Sequence, residues 1–479
     1  MGTDSGCAWC AALEREVSDL RREAAAREAR HAEIVRELRE ELRDLRARLH
    51  LDSRNSSKPP SSDPPGVPPS SRPPSGRKAG GQPGHEGKTR ERFAPEEVDR
   101  RVEVPVTRCH FCDAALPRAG RETLLPARHQ VVDLPVASAV VTEYVLERAV
   151  CAGCGVVTGA PLPEGVPASV VGPRLHAALV LLVGRYRLSR REAQALAVDL
   201  FGPKARIALG TLGALEARAV EALELAYREA ARVVRTGAVV HADETSFRRG
   251  RRKTWLWTAA TERASFFRID AFRSKEAFGR LLPDFQGVLT TDRWASYHDH
   301  PPNERQLCWA HLKRNFQELV DRKGAAAPIG HAGLRACANV FDAFEDHRAG
   351  RLEHASLARR LAPTRRALFA SLHRFRDSPD RAARALCRDL LRHFPSVFTF
   401  TRRRGVPPTN NLAERELRPA VLWRKGSFGC QSERGERFVD RMLTVVRTLR
   451  RQGRNLLDFL EASIRASLRG SRPPRLLTA

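Results

Sequence analysis

Four proline pairs, at positions 59–60, 64–65, 68–69 and 73–74, cut this 479-residue sequence in two. They lie in residues 52–92, DSRNSSKPPSSDPPGVPPSSRPPSGRKAGGQPGHEGKTRER, where almost nothing apolar is available to bury. Proline fixes φ and removes a backbone donor, so the stretch reads as an extended, disordered linker. Toward its end the linker turns basic, with Arg72, Arg77, Lys78, Lys88, Arg90 and Arg92. Such a segment tracks phosphates when nucleic acid is present, or serves as a passive spacer. Ahead of it, residues 11–50 contain neither Gly nor Pro. Val35, Leu38, Leu42, Leu45 and Leu49 alternate three and four apart, the seam of a two-stranded coiled coil. Leu13, Val17, Leu20 and Ala24 follow the same alternation out of register, with Glu28 and His31 on the seam between the two runs. Self-association is the expectation; a solvated single helix is the alternative.

The opening MGTDSGCAWC has no basic region followed by an apolar stretch, and no run reaches the ~20 apolar residues of a membrane helix. We expect a cytoplasmic chain, and in a reducing compartment its ten cysteines read as metal ligands or buried thiols. Residues 101–168 hold two spaced pairs, Cys109-x-x-Cys112 and Cys151-x-x-Cys154. Four thiolates in two such pairs suit a tetrahedral structural zinc ion. The runs HQVVDLP and VVTEYVLERAV between them are expected to form a long hairpin that unites the pairs. Cys7 and Cys10 have no mating pair.

Residues 169–235 read as helical. One helix opens at Pro173, another at Ser189, Gly202-Pro203 breaks the pattern, and a long helix runs from about Ile207 to Val234. The order weakly resembles a helix-turn-helix and is assigned as a DNA-binding region. From Gly237 the pattern becomes strands: AVVHADETSF, TWLWTAAT and SFFRIDAF, then a helix KEAFGRLL, a fourth strand GVLTTD, a fifth strand RQLCWA and a helix HLKRNFQELV. These residues, 236–324, form the first part of a split core. Residues 325–404 are a helical insertion, 405–432 the second part of the core, and 433–479 carry C-terminal helices.

Three carboxylates occupy informative places. Asp243 lies in the first strand, Asp292 ends the fourth, and Glu414 begins a helix after the insertion. In a ribonuclease H-like sheet the first and fourth strands are neighbours, and a helix across the sheet would add the glutamate. Hard oxygen ligands of this kind bind magnesium or manganese, and a pair of such ions clamps both oxygens of a phosphodiester displacement. Each residue also has a plain reading: Asp243 and Glu244 as strand-end residues, Asp292 as a cap, Glu414 as half of a capping box with Asn411. Pro419 is expected to truncate the helix that carries Glu414.

HADET around Asp243, TDRWASY around Asp292, CWAHLKRNF at 308–316, TNNLAERELRPAVLWRKGSFG at 409–429, SRNSSKPPSSD at 53–63 and GGQPGHEGKTR at 80–90 together resemble transposases of the insertion sequence 66 family, within the DDE superfamily. The resemblance covers almost the whole chain. It departs from the commonest pattern at Arg293, where Gly usually follows the second Asp, and at Thr409, where an acidic residue often precedes the Asn pair. The resemblance implies a multidomain α+β chain: coiled coil, zinc-binding unit, helix-turn-helix region and a ribonuclease H-like core with an all-helical insertion. It implies the catalytic triad Asp243, Asp292 and Glu414 with Mg2+ or Mn2+, and recognition of the terminal inverted repeats of an element and of target DNA. Cys308 and His311 match a Cys-x-x-His motif found beside such sites; a buried thiol and a helix-start histidine account for them equally well. Homo-oligomers, accessory proteins of the same element and a bacterial, nucleoid-associated setting are the corresponding expectations.

The formal net charge of +27 favours a polyanionic partner. Arg415, Arg418, Arg424 and Lys425 cluster behind Glu414 and are assigned to phosphate contacts, with a solvated basic face as the alternative. Trp255, Trp257 and Trp294 read as packing residues. Two other functions compete with a transposase: a non-catalytic DNA-binding regulator derived from one, and a structure-selective nuclease without strand transfer.

Overall fold

A computed structural model describes residues 8–49, 51–52, 55–56, 91–116 and 128–478. Cys7, Arg77, Lys78 and most of the proline linker lie outside the described residues, as does the side chain of Cys10. The chain divides into two units, Ser70–Ala139 and the remainder.

Among the described residues of Ser70–Ala139, a 3-10 turn spans Pro95–Glu97, and the Glu97 carboxylate accepts from the Ala94 amide at 2.9 Å. The Gln130 amide exchanges two hydrogen bonds with the Phe93 backbone, at 2.8 and 3.0 Å. The expected strand at 129–135 is absent, and 140–147 of the other unit carries none either. The physical reason is burial: Val131, Leu134, Val136, Val140 and Val145 all stand exposed, so no core rewards their alternation.

The larger unit begins with α1 (Ala8–Leu49), on which Leu38, Leu42, Leu45 and Leu49 are exposed. Its end is anchored by Arg322, which is ion-paired to both Asp44 and Asp380. The linker starts ordered rather than disordered: Asp52 and Asn55 are buried, and Asn55 donates to the Asp321 carboxylate at 3.0 Å. A two-stranded hairpin, β1 (Arg148–Val150) and β2 (Val157–Gly159), frames the second cysteine pair.

Four helices come next: α2 (Pro173–Gly184), α3 (Arg190–Phe201), α4 (Leu209–Ala222) and α5 (Glu224–Arg235). The long helix expected over 207–234 is broken at Leu223, whose φ and ψ of −95° and 0° leave the helical register. Leu223 is buried there, so packing overrides its helical preference.

The sheet is β3 (Val239–Arg249), β4 (Arg252–Ala260), β5 (Ser265–Asp270), β6 (Val288–Thr291) and β7 (Arg305–Leu307), in the order β5-β4-β3-β6-β7. The first three are antiparallel; β6 and β7 run parallel to β3. Residues of β6 and β7 are buried throughout, the signature of strands covered on both faces. Gly287 admits β6 beside β3: a Cβ there would stand 2.6 Å from the Gly237 carbonyl. One core joins α5 and α6 (Lys275–Leu281) to the sheet through Val234, Ala242, Trp257, Phe266 and Leu289.

A second core holds the helices beyond β7: α7 (Trp309–Arg322), α8 (Ala327–Arg348), α9 (His354–Arg374), α10 (Arg381–Arg392) and the short α11 (Phe394–Val397). Then come α12 (Asn411–Ser427), α13 (Glu433–Arg451) and α14 (Leu456–Leu468). α12 packs on β3 and β4, α13 on β5, and α14 on α2 and α4. Pro419 does not truncate α12, which continues to Ser427. Ala420 and Trp423, beyond the proline, are buried, and that packing outweighs the one missing amide. No helix among the described residues is long and apolar enough to cross a membrane.

Candidate active site

Side chains alternate across a strand, and β3 uses both faces. His241 meets the N-terminus of α12, whereas Glu244, on the other face, meets Arg273 and Tyr297. On the α12 side, His241 is buried and its Nδ1 donates to the Asn410 side-chain oxygen at 3.2 Å. Burial pushes its imidazole down to about 4, so it is neutral. Asn410 in turn donates to the Ala242 carbonyl at 2.8 Å. Asn410 is the N-cap of α12, yet its side chain makes no cap bond; the capping-box account of Glu414 therefore does not describe this helix.

The parallel pairing of β3 with β6 matches Val239 to Val288 and His241 to Thr290. Two residues beyond that pairing on each segment stand Asp243 and Asp292, and the Asp292 charge acts on the Asp243 carboxyl. Asp292 accepts the Trp294 amide at 2.8 Å on Oδ1, so it does serve the following turn. Its backbone carbonyl accepts from buried Arg305 at 2.8 Å. Glu414 stands in the first turn of α12, half exposed, with Oε1 3.4 Å from His311 Nδ1 and 3.7 Å from Arg314.

The electrostatics tie these groups together. Burial, and then the negative charges of Glu244, Asp292 and Glu414, raise the Asp243 carboxyl well above the usual range. Glu244 is raised as well, by burial and by Asp292, against the opposing Arg273 and Tyr297. Glu414 Oε1 and His311 Nδ1 are buried without a hydrogen bond among the described residues. Three crowded carboxylates and an unsatisfied carboxylate oxygen fit hard divalent cations.

Cys308 and His311 lie against this group. The Cys308 sulfur accepts the Asn410 amide at 3.1 Å, and burial pushes the thiol up to about 11. Ligand atoms of Cys308, His311 and Glu414 lie within 4.8 Å of one another.

Residues 169–437 match a family model described as Transposase IS66 family. The chain belongs to the IS66 transposase family. That match spans β3, β6, α7 and α12, and with them Asp243, Asp292, Cys308, His311 and Glu414. Residues 13–91 match a second model, described only as a family of unknown function. Two uncharacterized proteins of Sinorhizobium fredii are similar: y4qI, 26% identical over 263 residues and covering 48% of each chain, and y4hP, 25% identical over 406 residues, 74% of this chain and 70% of its own. The chain thus spans about half the length of the first relative.

In this IS66 chain, Arg415, Arg418 and Lys425 are exposed along one side of α12. Arg424 is half-buried and donates to the Ser246 carbonyl at 2.6 Å, which clamps α12 to β3. Trp257 is a core residue, but Trp294 is 38% exposed and lies 3.7 Å from the Arg273 guanidinium, outside any core. The two cysteine pairs share one local geometry. Cys109 N donates to Ala114 O at 2.9 Å and Asp113 N to Cys109 O at 3.0 Å; Cys151 N donates to Val156 O at 2.9 Å and Gly155 N to Cys151 O at 2.8 Å. Asp113 and Gly155 both take positive φ at the end of the turn. Backbone amides of Cys112 and Phe111 lower the Cys109 thiol, and those of Cys154 and Gly153 lower Cys151.

Sequence reasoning missed Asn410, His241, Glu244, Arg273, Tyr297 and Arg305 as parts of the site. The Asn pair at 410–411 was the available signal for the first; strand alternation beyond Asp243 was the signal for Glu244.

Proposed function

We propose that this chain is a DNA transposase that binds element ends, cleaves phosphodiesters with two divalent ions, and joins the 3′ ends to a target. The observation that carries the reading is that the charges of Asp292, just after β6, and Glu414, on α12, both act on the Asp243 carboxyl of β3. The strand order, three antiparallel and two parallel, supports a ribonuclease H-like core interrupted by the α8–α11 insertion.

Asp243, Asp292 and Glu414 would hold Mg2+ or Mn2+. When bound, such ions acidify water or a 3′-hydroxyl and neutralise charge on the phosphate oxygens. Asn410 fixes the first turn of α12 so that Glu414 stays beside β3. The buried guanidinium of Arg305 steadies the backbone of Asp292. Arg415, Arg418 and Lys425 extend a basic side of α12 away from the carboxylates, suited to the phosphates of the bound strand. The exposed α3, on which only Ala193 and Ala197 are buried, suits a DNA-contacting helix. The Cys109–Cys112 knuckle and the Cys151–Cys154 knuckle, whose amides favour thiolates, each suit structural zinc. The exposed leucine seam of α1 suits self-association into a homo-oligomer.

The test is cleavage of a labelled duplex carrying the element's own end, with Mg2+ or Mn2+, by wild type and Asp292→Ala. Cleavage by the wild type alone, leaving a 3′-hydroxyl that is then joined to a second duplex, supports the transposase. Equal cleavage by both proteins overturns the carboxylate assignment.

A further inference from the structure

Two histidines and an aspartate meet where the insertion touches the loop behind Asp292. His298 follows the 3-10 turn Ala295–Tyr297; Asp389 lies in the last turn of α10, and His393 caps that helix. One potential ligand atom from each lies within 4.8 Å of the others, and the two imidazole centroids are 4.4 Å apart. Asp389 and His393 share a helix face through their four-residue spacing.

Their hydrogen bonds orient them. His298 Nε2 faces the Arg293 carbonyl at 3.2 Å, so it carries the proton and the Nδ1 lone pair is left available. Metal-binding histidines characteristically donate their other N–H to such a carbonyl. Asp389 Oδ2 accepts from the Arg293 guanidinium, and Oδ1 turns toward His393 Nε2, 3.8 Å away. His393 is 7% exposed, and its Nε2 is buried without a hydrogen bond among the described residues. A buried nitrogen left without a partner is costly, so a missing partner is indicated. The 3.8 Å gap is too long for a hydrogen bond. It is close to the ~3.3 Å that separates two donors of a tetrahedral ion with bonds of about 2.0–2.1 Å.

We propose that His298, Asp389 and His393 bind a divalent transition metal of the zinc or cobalt class, at a site distinct from the catalytic carboxylates, and thereby fasten the helical insertion to the loop that carries Asp292. Arg305 and Arg392 also act on His393 and oppose a cation. Two imidazoles therefore set the preference, which favours zinc or cobalt over magnesium.

The test uses full-length, metal-stripped protein reloaded with zinc and counted by elemental mass spectrometry, alongside Tm with and without zinc. The His298→Phe and His393→Phe chains should each bind one zinc fewer than wild type, and should lose the part of the zinc-dependent rise in Tm that the wild type shows. The cysteine knuckles load equally in all three. Equal zinc in wild type and both histidine variants overturns the proposal. If His393→Phe fails to fold by circular dichroism, the half-buried His298→Phe decides by the same count. Because no reading depends on DNA cleavage, failure of the transposase assignment would leave this result interpretable.

Discussion

The side-chain amide of Asn410 donates to the carbonyl of Ala242 at 2.8 Å, so the helix that brings in Glu414 is fastened to the strand residue next to Asp243. Asn410→Ala would orphan that carbonyl and the Nδ1 of His241 in a buried place, at a cost of roughly 2–4 kcal/mol for the two groups together. Metal-dependent cleavage should fall further than stability does, by about a hundredfold for a shift of ~1 Å at Glu414. Thermal unfolding and a single-turnover cleavage rate measure the two separately.

Asp243→Asn should abolish cleavage and yet raise the Tm of the metal-free protein. A carboxyl held above its usual range is disfavoured as an anion in the fold, so its removal relieves the folded state at neutral pH. A gain of about 1 kcal/mol corresponds to roughly 2–4 °C for a core of this size. A lower Tm, with or without Mg2+, would mean that Asp243 is a structural residue.

Acid should weaken the fold in two stages. His241 has a folded value of about 4, below the ordinary ~6.5 of an unfolded chain. Its contribution is therefore complete above pH ~6.5 and is lost as pH falls toward 4, up to about 3 kcal/mol. Glu416 is next: burial alone would raise it, but Arg447 and Arg451 hold it low, so its contribution fades below ~4.3. Urea denaturation across pH should show the upper stage vanish in His241→Gln if that variant folds.

Glu416→Gln should be among the most damaging single changes outside the active site. The buried carboxylate accepts from Arg447 at 2.7 and 2.9 Å and from Ser265 at 2.8 Å, joining α12, α13 and β5. Breaking a buried pair from one side costs roughly 3–5 kcal/mol. A ΔΔG under 1 kcal/mol in denaturant titration would contradict this account.

Replacing Leu38 and Leu42 with Lys should reduce the oligomeric mass in light scattering and leave Tm nearly unchanged. Both leucines are exposed on α1, so no intramolecular core depends on them. An unaltered mass would remove the coiled-coil reading.

Much of the larger unit was legible because its strands and helices carry strong periodicity. The run AVVHADETSF contains most of β3, KEAFGRLL all of α6, and GVLTTD all of β6. Pro419 misled because propensity acts locally, while Ala420 and Trp423 are held in the core, Trp423 with its ring 6.2 Å from that of Phe438 on α13. The strand expected at 129–135 failed for the opposite reason: alternation without a covering layer has nothing to bury. Glu244 was ambiguous because adjacent strand residues exchange faces with a shift of one, and only Arg273 and Tyr297 show which face it took. Asn410 was invisible in its role, since an asparagine before a helix reads as a cap and this one bonds to a strand instead.

The insertion has a further consequence for synthesis. Asp243 and Asp292 leave the ribosome more than one hundred residues ahead of Glu414. A nascent or prematurely terminated chain can therefore contain the basic linker, the cysteine knuckles and all five strands of the sheet while lacking the last carboxylate. On the function proposed above, such a fragment would lack one of the three metal-holding carboxylates, so metal-dependent cleavage would await the synthesis of α12.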